Sequence, residues 1–224
     1  MLTKFLFLFA VVWLSTVTAE GKVITSFNPH GKKLIALTFD ACETKTPSHF
    51  DKTILNYLIS HKIAATFFVS AKFALTNPKR LNEVADYPFI EIENHSYHHY
   101  GHMERLDAAK VREEIDSTES IISKSTGTAT KFFRFPAGNY DARTLATVEN
   151  MGYKVVHWSF ASGDPDKHID APRMTNWVLK KAKSGTILIF HINGRGYATP
   201  KALPVIVESL EKEGYTFVRL DEVL

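Results

Sequence analysis

The sequence lacks several features that would point to other classes of protein. It has one cysteine in 224 residues, so the chain has no intramolecular disulfide. Its net charge is +3 and its lysines and arginines are scattered, which argues against a nucleic-acid binder. No tract rich in proline, serine or glycine divides it, and 45% of its residues are hydrophobic. This composition excludes a disordered or fibrous chain and favours a folded globular protein.

A long apolar run is also missing, except at the N-terminus. Lys4 precedes the uncharged apolar run Phe5 to Leu14, and Val17-Thr18-Ala19 has the small-x-small pattern of a cleavage site. These features predict a secretory signal peptide over residues 1–19. The alternative is a membrane anchor, but the run is shorter than the roughly 20 residues that span a bilayer. We therefore expect an exported protein, periplasmic or secreted, with no membrane span after cleavage.

Short runs of apolar and β-branched residues alternate along the chain with segments of helical periodicity. The runs are Leu34–Phe39, Ala64–Ser70, Phe89–Glu93, Phe132–Phe135, Lys154–Trp158, Thr186–Phe190 and Tyr215–Leu220. The helical segments are Pro47–His61, Asp107–Lys124, Ala142–Met151, Ala171–Ala182 and Thr199–Glu213. This alternation predicts an α/β fold with a parallel sheet. We expect an N-terminal lead, 20–32, and one domain, 33–224, that is a distorted (β/α) barrel of about seven parallel strands; an open doubly wound sheet is the alternative.

Polar side chains follow most of these runs, where the predicted strands end. They are Asp40, Asn94-His95, Arg134, Asp164 and His191. Taken singly, an aspartate of this kind caps a helix and a histidine packs in a core. In both candidate folds, however, ligands bind at the carboxyl ends of the parallel strands. Five such groups at one predicted edge therefore indicate a chemical site.

The segment Asn94-His95-Ser96-Tyr97-His98-His99 has the spacing of a metal site. His95 and His99 are four residues apart, so on a helical turn both imidazoles face the same side, as in an HExxH site. The glutamate of that motif is absent, so a metalloprotease would lack its general base. The spacing predicts two metal ligands, with a structural pair as the alternative. We expect His98 and His102 to be exposed to solvent.

Two further segments carry groups suited to acid–base and oxyanion chemistry. Arg134-Phe135-Pro136-Ala137-Gly138 predicts a fixed cation at a strand end, followed by a turn whose N–H groups face a developing oxyanion. The alternative is an ordinary turn with a surface arginine. His191 follows a strongly apolar run, and an imidazole held there titrates near neutral pH and can act as a general acid.

In this order the motifs resemble those of the NodB-homology polysaccharide deacetylases, carbohydrate esterase family 4. The resemblance covers Lys33 to Leu224 and rests on Thr38-Phe39-Asp40, Asn94 to His99, Arg134 to Gly138, Asp164, and Leu188-Ile189-Phe190-His191. One motif alone is weak, whereas five in order with the right strand context are specific.

The resemblance implies a catalytic role for most of these motifs. Asp40 would be the catalytic base, and Arg134 would orient it. The backbone N–H of Ala137 would complete the oxyanion hole. Asp164 would tune the acid–base groups, and His191 would be the general acid.

The resemblance also implies a divalent metal ion, which we expect to be Zn²⁺, on His95 and His99. The family usually has an aspartate as third ligand where this chain has Ala41, and alanine cannot ligate a metal. The side chains able to replace it are Cys42, which we rank first because zinc accepts sulfur, and then Asp40 and Glu43. The remaining alternative is a weak or absent metal.

The implied function is removal of N-acetyl groups from a polysaccharide that contains N-acetylglucosamine, peptidoglycan or chitin-like, with release of acetate. Within the hydrolases, the alternative is an O-acetyl esterase of the xylan type, since the same site can attack esters. A second alternative is a catalytically inactive carbohydrate-binding relative, because Ala41 replaces the usual ligand.

Overall fold

The computed structural model describes residues 21–43 and 45–224, so the predicted signal peptide lies outside the described residues. The strands are Leu34–Ala41 (β1), Ala65–Val69 (β2), Ile90–Asn94 (β3), Phe132–Phe133 (β4), Lys154–Val155 (β5), Phe160–Ala161 (β6), Thr186–His191 (β7) and Thr216–Val218 (β8). All pair in parallel in the order β5-β4-β3-β2-β1-β7-β6, and β8 pairs with the start of β1. The predicted fold class, a distorted barrel-like α/β domain, is confirmed.

The barrel is incomplete between β5 and β6, which pair with one strand each. The N-terminal lead lies across this gap. Ile24 forms an isolated parallel bridge with Val156, and Ser26 forms an antiparallel one with Thr186. The predicted pattern missed β6 because two residues are too few to show periodicity.

Helices surround the sheet. They are Lys52–His61 (α1), Ala71–Thr76 (α2), Pro78–Ala85 (α3), Ala108–Thr126 (α4), Ala142–Asn150 (α5), Ala171–Lys181 (α6) and Thr199–Lys212 (α7). The first predicted helix, Pro47–His61, begins five residues too early, because the Asp51 side chain caps α1 by accepting from the backbone N–H groups of Thr53 and Ile54. The short helices α2 and α3 were not predicted. None of the helices in the described ranges has the length and apolar character to cross a bilayer.

Alternation along β1 decides which residues reach the site. Its odd-numbered side chains pack in the core between sheet and helices, namely Ile35, Leu37 and Phe39. Ala36 belongs to a separate apolar cluster on the other face of the sheet. Asp40 lies on the face of Ala36, since strand residues two apart point the same way. The pairing of β1 with β7 sets Asp40 opposite His191, so these two polar side chains share that face.

Candidate active site

A buried ion pair lies at the centre of the candidate site. Arg134, directly after β4, is fully buried, and its Nη1 donates to Oδ1 of Asp40 at 2.8 Å. Its remaining bonds go to Thr38 Oγ1 and to the carbonyl oxygens of Val156 and His157, at 2.9, 3.1 and 3.0 Å. The alternative of a surface arginine is therefore wrong. The guanidinium is a fixed cation held by groups from two other segments of the chain.

The charge of Asp40 is controlled by this surrounding. Burial by itself raises the pKa of Asp40, but His95 and the Arg134 cation outweigh burial and lower the pKa to about 2. The carboxylate is therefore ionised at neutral pH. Its second oxygen, Oδ2, lies 3.4 Å from Nε2 of His95 and remains available on the side of the histidines.

The two predicted metal ligands come together, but not on a helical turn. His95 and His99 lie in the loop after β3, where Ser96 and His99 have positive φ angles of 65° and 56°. The helical geometry expected from the spacing is wrong, because these left-handed residues replace a helical turn with a tight loop. The loop sets the two imidazole rings with centroids 4.9 Å apart.

His95 has the hydrogen bonding of a metal ligand. Its Nδ1–H donates to the carbonyl oxygen of Arg134 at 2.8 Å, which leaves Nε2 with a free lone pair. Nε2 is buried and has no hydrogen-bond partner among the described residues. Burial lowers the pKa of His95, and it lowers the pKa of His99 to about 3, so both rings are neutral and able to ligate. An unpartnered buried nitrogen of this kind fits a metal ion.

Cys42 lies beside the two histidines. Donor atoms of Cys42, His95 and His99 all lie within 4.8 Å of one another. Glu43, by contrast, is engaged elsewhere, since its Oε2 accepts from Thr76 Oγ1 at 2.6 Å. Burial and the charge of Asp40 raise the pKa of the Cys42 thiol to about 12. The positive charge of a bound divalent ion is what would turn this thiol into a thiolate.

His191 is paired with a second buried carboxylate, that of Asp164. Its Nδ1 lies 3.0 Å from Oδ1 of Asp164, and its backbone N–H donates to Oδ2 of Asp164 at 2.6 Å. Ser162 and Thr199 also donate to this carboxylate, which is 1% exposed. Burial lowers the pKa of His191, but its hydrogen bond to Asp164 and the charge of that carboxylate raise it above the ordinary value overall. The ring is thus held by one carboxylate and favours its protonated form.

The turn after Arg134 lines a cavity of about 250 Å³. Ala137 has a φ of 55°, and its N–H has no hydrogen-bond acceptor within the described ranges. Gly138 has a φ of 73°, and a Cβ there would lie 2.8 Å from the ring of Trp158, so the turn requires glycine. Asp40, His99 and His191 line the same cavity. A carbonyl group bound here would meet a free N–H, a carboxylate and an imidazole.

A family model described as polysaccharide deacetylase matches residues 27–156, more than half of the chain. The chain belongs to the polysaccharide deacetylase family. A peptidoglycan-N-acetylglucosamine deacetylase of Bacillus cereus is 30% identical over 210 residues, which are 93% of this chain and 74% of that protein. A bifunctional xylanase/deacetylase of Pseudobutyrivibrio xylanivorans is 32% identical over 200 residues, or 88% of this chain, and this chain spans only 31% of its length. The family predicted from the motifs is confirmed.

Solved structures of polysaccharide deacetylases share the fold. A crystal structure of a peptidoglycan N-acetylglucosamine deacetylase superposes with a TM-score of 0.82 at 28% identity, covering 91% of this chain and 93% of that one. A Bacillus anthracis structure described as a pseudoenzyme of carbohydrate esterase family 4 gives 0.79 at 21% identity, covering 92% and 69%. The family match and the Bacillus cereus relative confirm the predicted enzyme class, a deacetylase of amide bonds. The Bacillus anthracis structure shows that the fold also occurs in a pseudoenzyme.

One residue that supports the deacetylase site was not predicted from the sequence. Glu114 on α4 is 1% exposed, and its Oε2 accepts from the backbone N–H groups of Tyr97 and His98. Its Oε1 lies 2.6 Å from Nδ1 of His98, which is therefore half-buried and paired, contrary to the exposure expected for it. Glu114 thus holds the loop between the two outer histidines. The available signal was a charged residue on the apolar face of α4, between Val111 and Thr118.

Proposed function

We propose that this chain is a metal-dependent hydrolase that removes N-acetyl groups from N-acetylglucosamine units of a polysaccharide and releases acetate. The observation that carries the proposal is the pairing of Asp40 with His191 on adjacent strands at one cavity. One is a carboxylate held ionised by Arg134, and the other is an imidazole whose protonation Asp164 favours. Hydrolysis of an amide requires both a base for water and an acid for the leaving amine.

The residues that would hold the metal are His95, His99 and Cys42, and we expect Zn²⁺. Such an ion, when bound, supplies Lewis acidity that polarises a carbonyl and lowers the pKa of water. Asp40 lies beside this ligand set, with its Oδ2 facing His95. It takes the proton of the attacking water, while Arg134 prevents the carboxylate from swinging away.

The remaining groups act on the acetamide. The free N–H of Ala137 donates to the oxyanion as the carbonyl carbon becomes tetrahedral, an interaction worth about 3 kcal/mol in other hydrolases. His191 then protonates the leaving nitrogen. Asp164 holds the imidazole in one orientation and stabilises its cationic form.

Peptidoglycan is the first choice of substrate, and a chitin-like polymer is the second. The Bacillus cereus relative is named as acting on N-acetylglucosamine of peptidoglycan. The predicted signal peptide supports export, to the periplasm or outside the cell, where such polymers are found. The 32% identity with the bifunctional xylanase/deacetylase keeps an O-acetyl esterase of xylan as the second candidate function.

The experiment that tests the proposal is replacement of His191 by alanine. We expect acetate release from N-acetylglucosamine oligomers to fall about 10²- to 10⁴-fold, since the leaving amine loses its proton donor. Elemental analysis should find the same metal content as in the unmodified protein. Loss of metal in the variant would place His191 among the ligands instead.

A matched control and a second substrate sharpen this test. His102→Ala removes an exposed imidazole that hydrogen-bonds Glu104, and it should leave turnover unchanged. Release of acetate from acetylated xylan but not from the amino-sugar oligomers would identify the esterase. Release from neither substrate by the metal-loaded protein would identify the inactive carbohydrate-binding relative.

A further inference from the structure

A buried asparagine, Asn193, lies beside Cys42. Asp40 and His191 are partners in the register of β1 and β7, and Ile192 continues this pairing by donating to the carbonyl oxygen of Asp40 at 3.1 Å. Cys42 follows β1 and Asn193 follows β7, so the two residues lie just beyond the ends of these paired strands. Asn193 is 4% exposed. The paired ends of β1 and β7 therefore bring these two residues together.

The side-chain amide of Asn193 is oriented by contacts at both ends. Its Oδ1 accepts from the backbone N–H of Arg195 at 3.3 Å. Its Nδ2 donates to the carbonyl oxygen of Cys42 at 2.6 Å and also lies 3.1 Å from Cys42 Sγ. Exchange of the amide oxygen and nitrogen would set two acceptors against each other at Cys42 and two donors at Arg195. An N–H of Asn193 therefore faces the sulfur.

We propose that Asn193 is a positioning residue that holds Cys42 Sγ beside His95 and His99, as the third ligand atom of their site. Its amide contacts both the carbonyl oxygen and Sγ of Cys42, and these two contacts fix where the sulfur lies. The independent sign of a ligand at this cluster is the buried Nε2 of His95, which has no partner within the described ranges. The proposal rests on the proposed function only in requiring a metal here.

This arrangement has a consequence for the choice of metal. One sulfur and two imidazole nitrogens form a donor set that suits Zn²⁺ and disfavours Mg²⁺ or Ca²⁺, which prefer oxygen. Asn193 contributes to that preference because it acts on the sulfur. A competing explanation is that Asn193 only braces the loop through the carbonyl oxygen of Cys42, and the experiment separates the two.

The test is a double-mutant cycle on zinc affinity, measured by competition with a chromophoric chelator. Asn193→Ala should weaken zinc binding about 10- to 100-fold, as loss of an outer-shell partner does elsewhere. In a Cys42→Ser background the same replacement should change the affinity less than about threefold, because the sulfur on which Asn193 acts is gone. Equal losses of zinc affinity in both backgrounds would overturn the proposal. Asn193 would then only hold the loop through the carbonyl oxygen of Cys42.

Cobalt substitution gives a readout independent of activity. The unmodified protein loaded with Co²⁺ should show a thiolate-to-metal charge-transfer band in the near ultraviolet, which Cys42→Ser abolishes and Asn193→Ala shifts or weakens. Asn193→Asp serves if the alanine variant does not fold, because it keeps the shape and the bond from Arg195 while removing the N–H on sulfur. A band unchanged in both Asn193 variants contradicts the proposal.

Asn77→Ala is the matched control. Asn77 is 8% exposed and donates to two backbone carbonyl oxygens, of Ser48 and Phe73, but to no sulfur. Its replacement should lower thermal stability without altering zinc affinity or the cobalt band. If the protein binds one equivalent of metal but shows no thiolate band, Cys42 is not a ligand and Asn193 does not position one. That result would leave the proposed metal-dependent deacetylase function intact. No binding of Zn²⁺ or Co²⁺ by the unmodified protein would reject both.

Discussion

Two regions of the sheet bury carboxylates, and they stabilise them in opposite ways. Asp40 faces the fixed cation of Arg134, and its pKa is lowered to about 2. Glu91 and Glu93 on β3 have no ion-pair partner within the described ranges, and burial raises the pKa of both. A neighbouring buried cation therefore lowers the pKa of an interior carboxyl group, whereas burial without a cation raises it.

The two regions also use their oxygens differently. Glu93 Oε2 accepts from the backbone N–H groups of Lys131 and Phe132, which directs the chain into β4. Glu91 Oε2 accepts from Thr66 and from the backbone N–H of Leu220, which fixes the C-terminal turn. The Oε2 atoms of both glutamates therefore hold neighbouring segments of the chain in place. Asp40, by contrast, has its Oδ2 facing the histidines. A lowered pKa and an unused oxygen, not burial alone, therefore distinguish Asp40 from the two glutamates of β3.

The strongest test of this comparison replaces one carboxylate in each region by its amide. Asp40→Asn should lower acetate release about 10²- to 10⁴-fold, because the general base is lost. Glu93→Gln keeps a side-chain oxygen that can accept from the same two backbone N–H groups. It should leave turnover within about threefold of the unmodified protein. Both are measured on N-acetylglucosamine oligomers at neutral pH. Equal losses in the two variants would break the comparison.

The second test removes the cation. Arg134→Met should reduce the free energy of unfolding by about 3–5 kcal/mol, because it leaves the Asp40 carboxylate buried without a partner. Urea unfolding followed by circular dichroism measures the change. Arg80→Met breaks an exposed pair with Glu83 and should change stability by less than about 1 kcal/mol. If Arg134→Met is as mild as Arg80→Met, the cation is not what stabilises Asp40.

The smallest expected effect is a difference in pH dependence. The pKa of Glu93 is raised, first by burial and then by the charge of Glu91, so its contribution to stability is present at low pH and is lost as the pH rises through the folded-state pKa. Asp40 has the opposite sign, since its contribution is present above the ordinary pKa of 3.8 and is lost as the pH falls through about 2.

Glu93→Gln should therefore flatten the alkaline decline in stability. The glutamine resembles the protonated carboxyl, so the variant should gain melting temperature relative to the unmodified protein more at about pH 8 than at about pH 5. Thermal unfolding over a pH series gives the comparison. A constant offset at all pH values would show that Glu93 does not titrate with the raised pKa.

Most of the strands and the family were predictable from the sequence, and the loops were predicted less well. Leu34–Phe39 and Thr186–Phe190 were recognised because buried parallel strands are short continuous apolar runs. The His95–His99 pair was found by spacing, but the reason was wrong, since two left-handed residues and not a helix bring the rings together. Glu114 was missed because nothing local shows that a helix glutamate will accept from a loop 16 residues away.

By itself the sequence determined most of the strands and the longer helices, the family, and the polar residues that follow the strands, because periodicity and strand-end placement are local properties of a chain. The tertiary structure decided that Arg134 is buried, that Cys42 and not Glu43 lies with the histidines, and that Asn193 faces that sulfur. Cys42 and Asn193 are 151 residues apart, and the pairing of β1 with β7 brings them together. A register between distant strands follows from packing of the whole core, which no single segment contains.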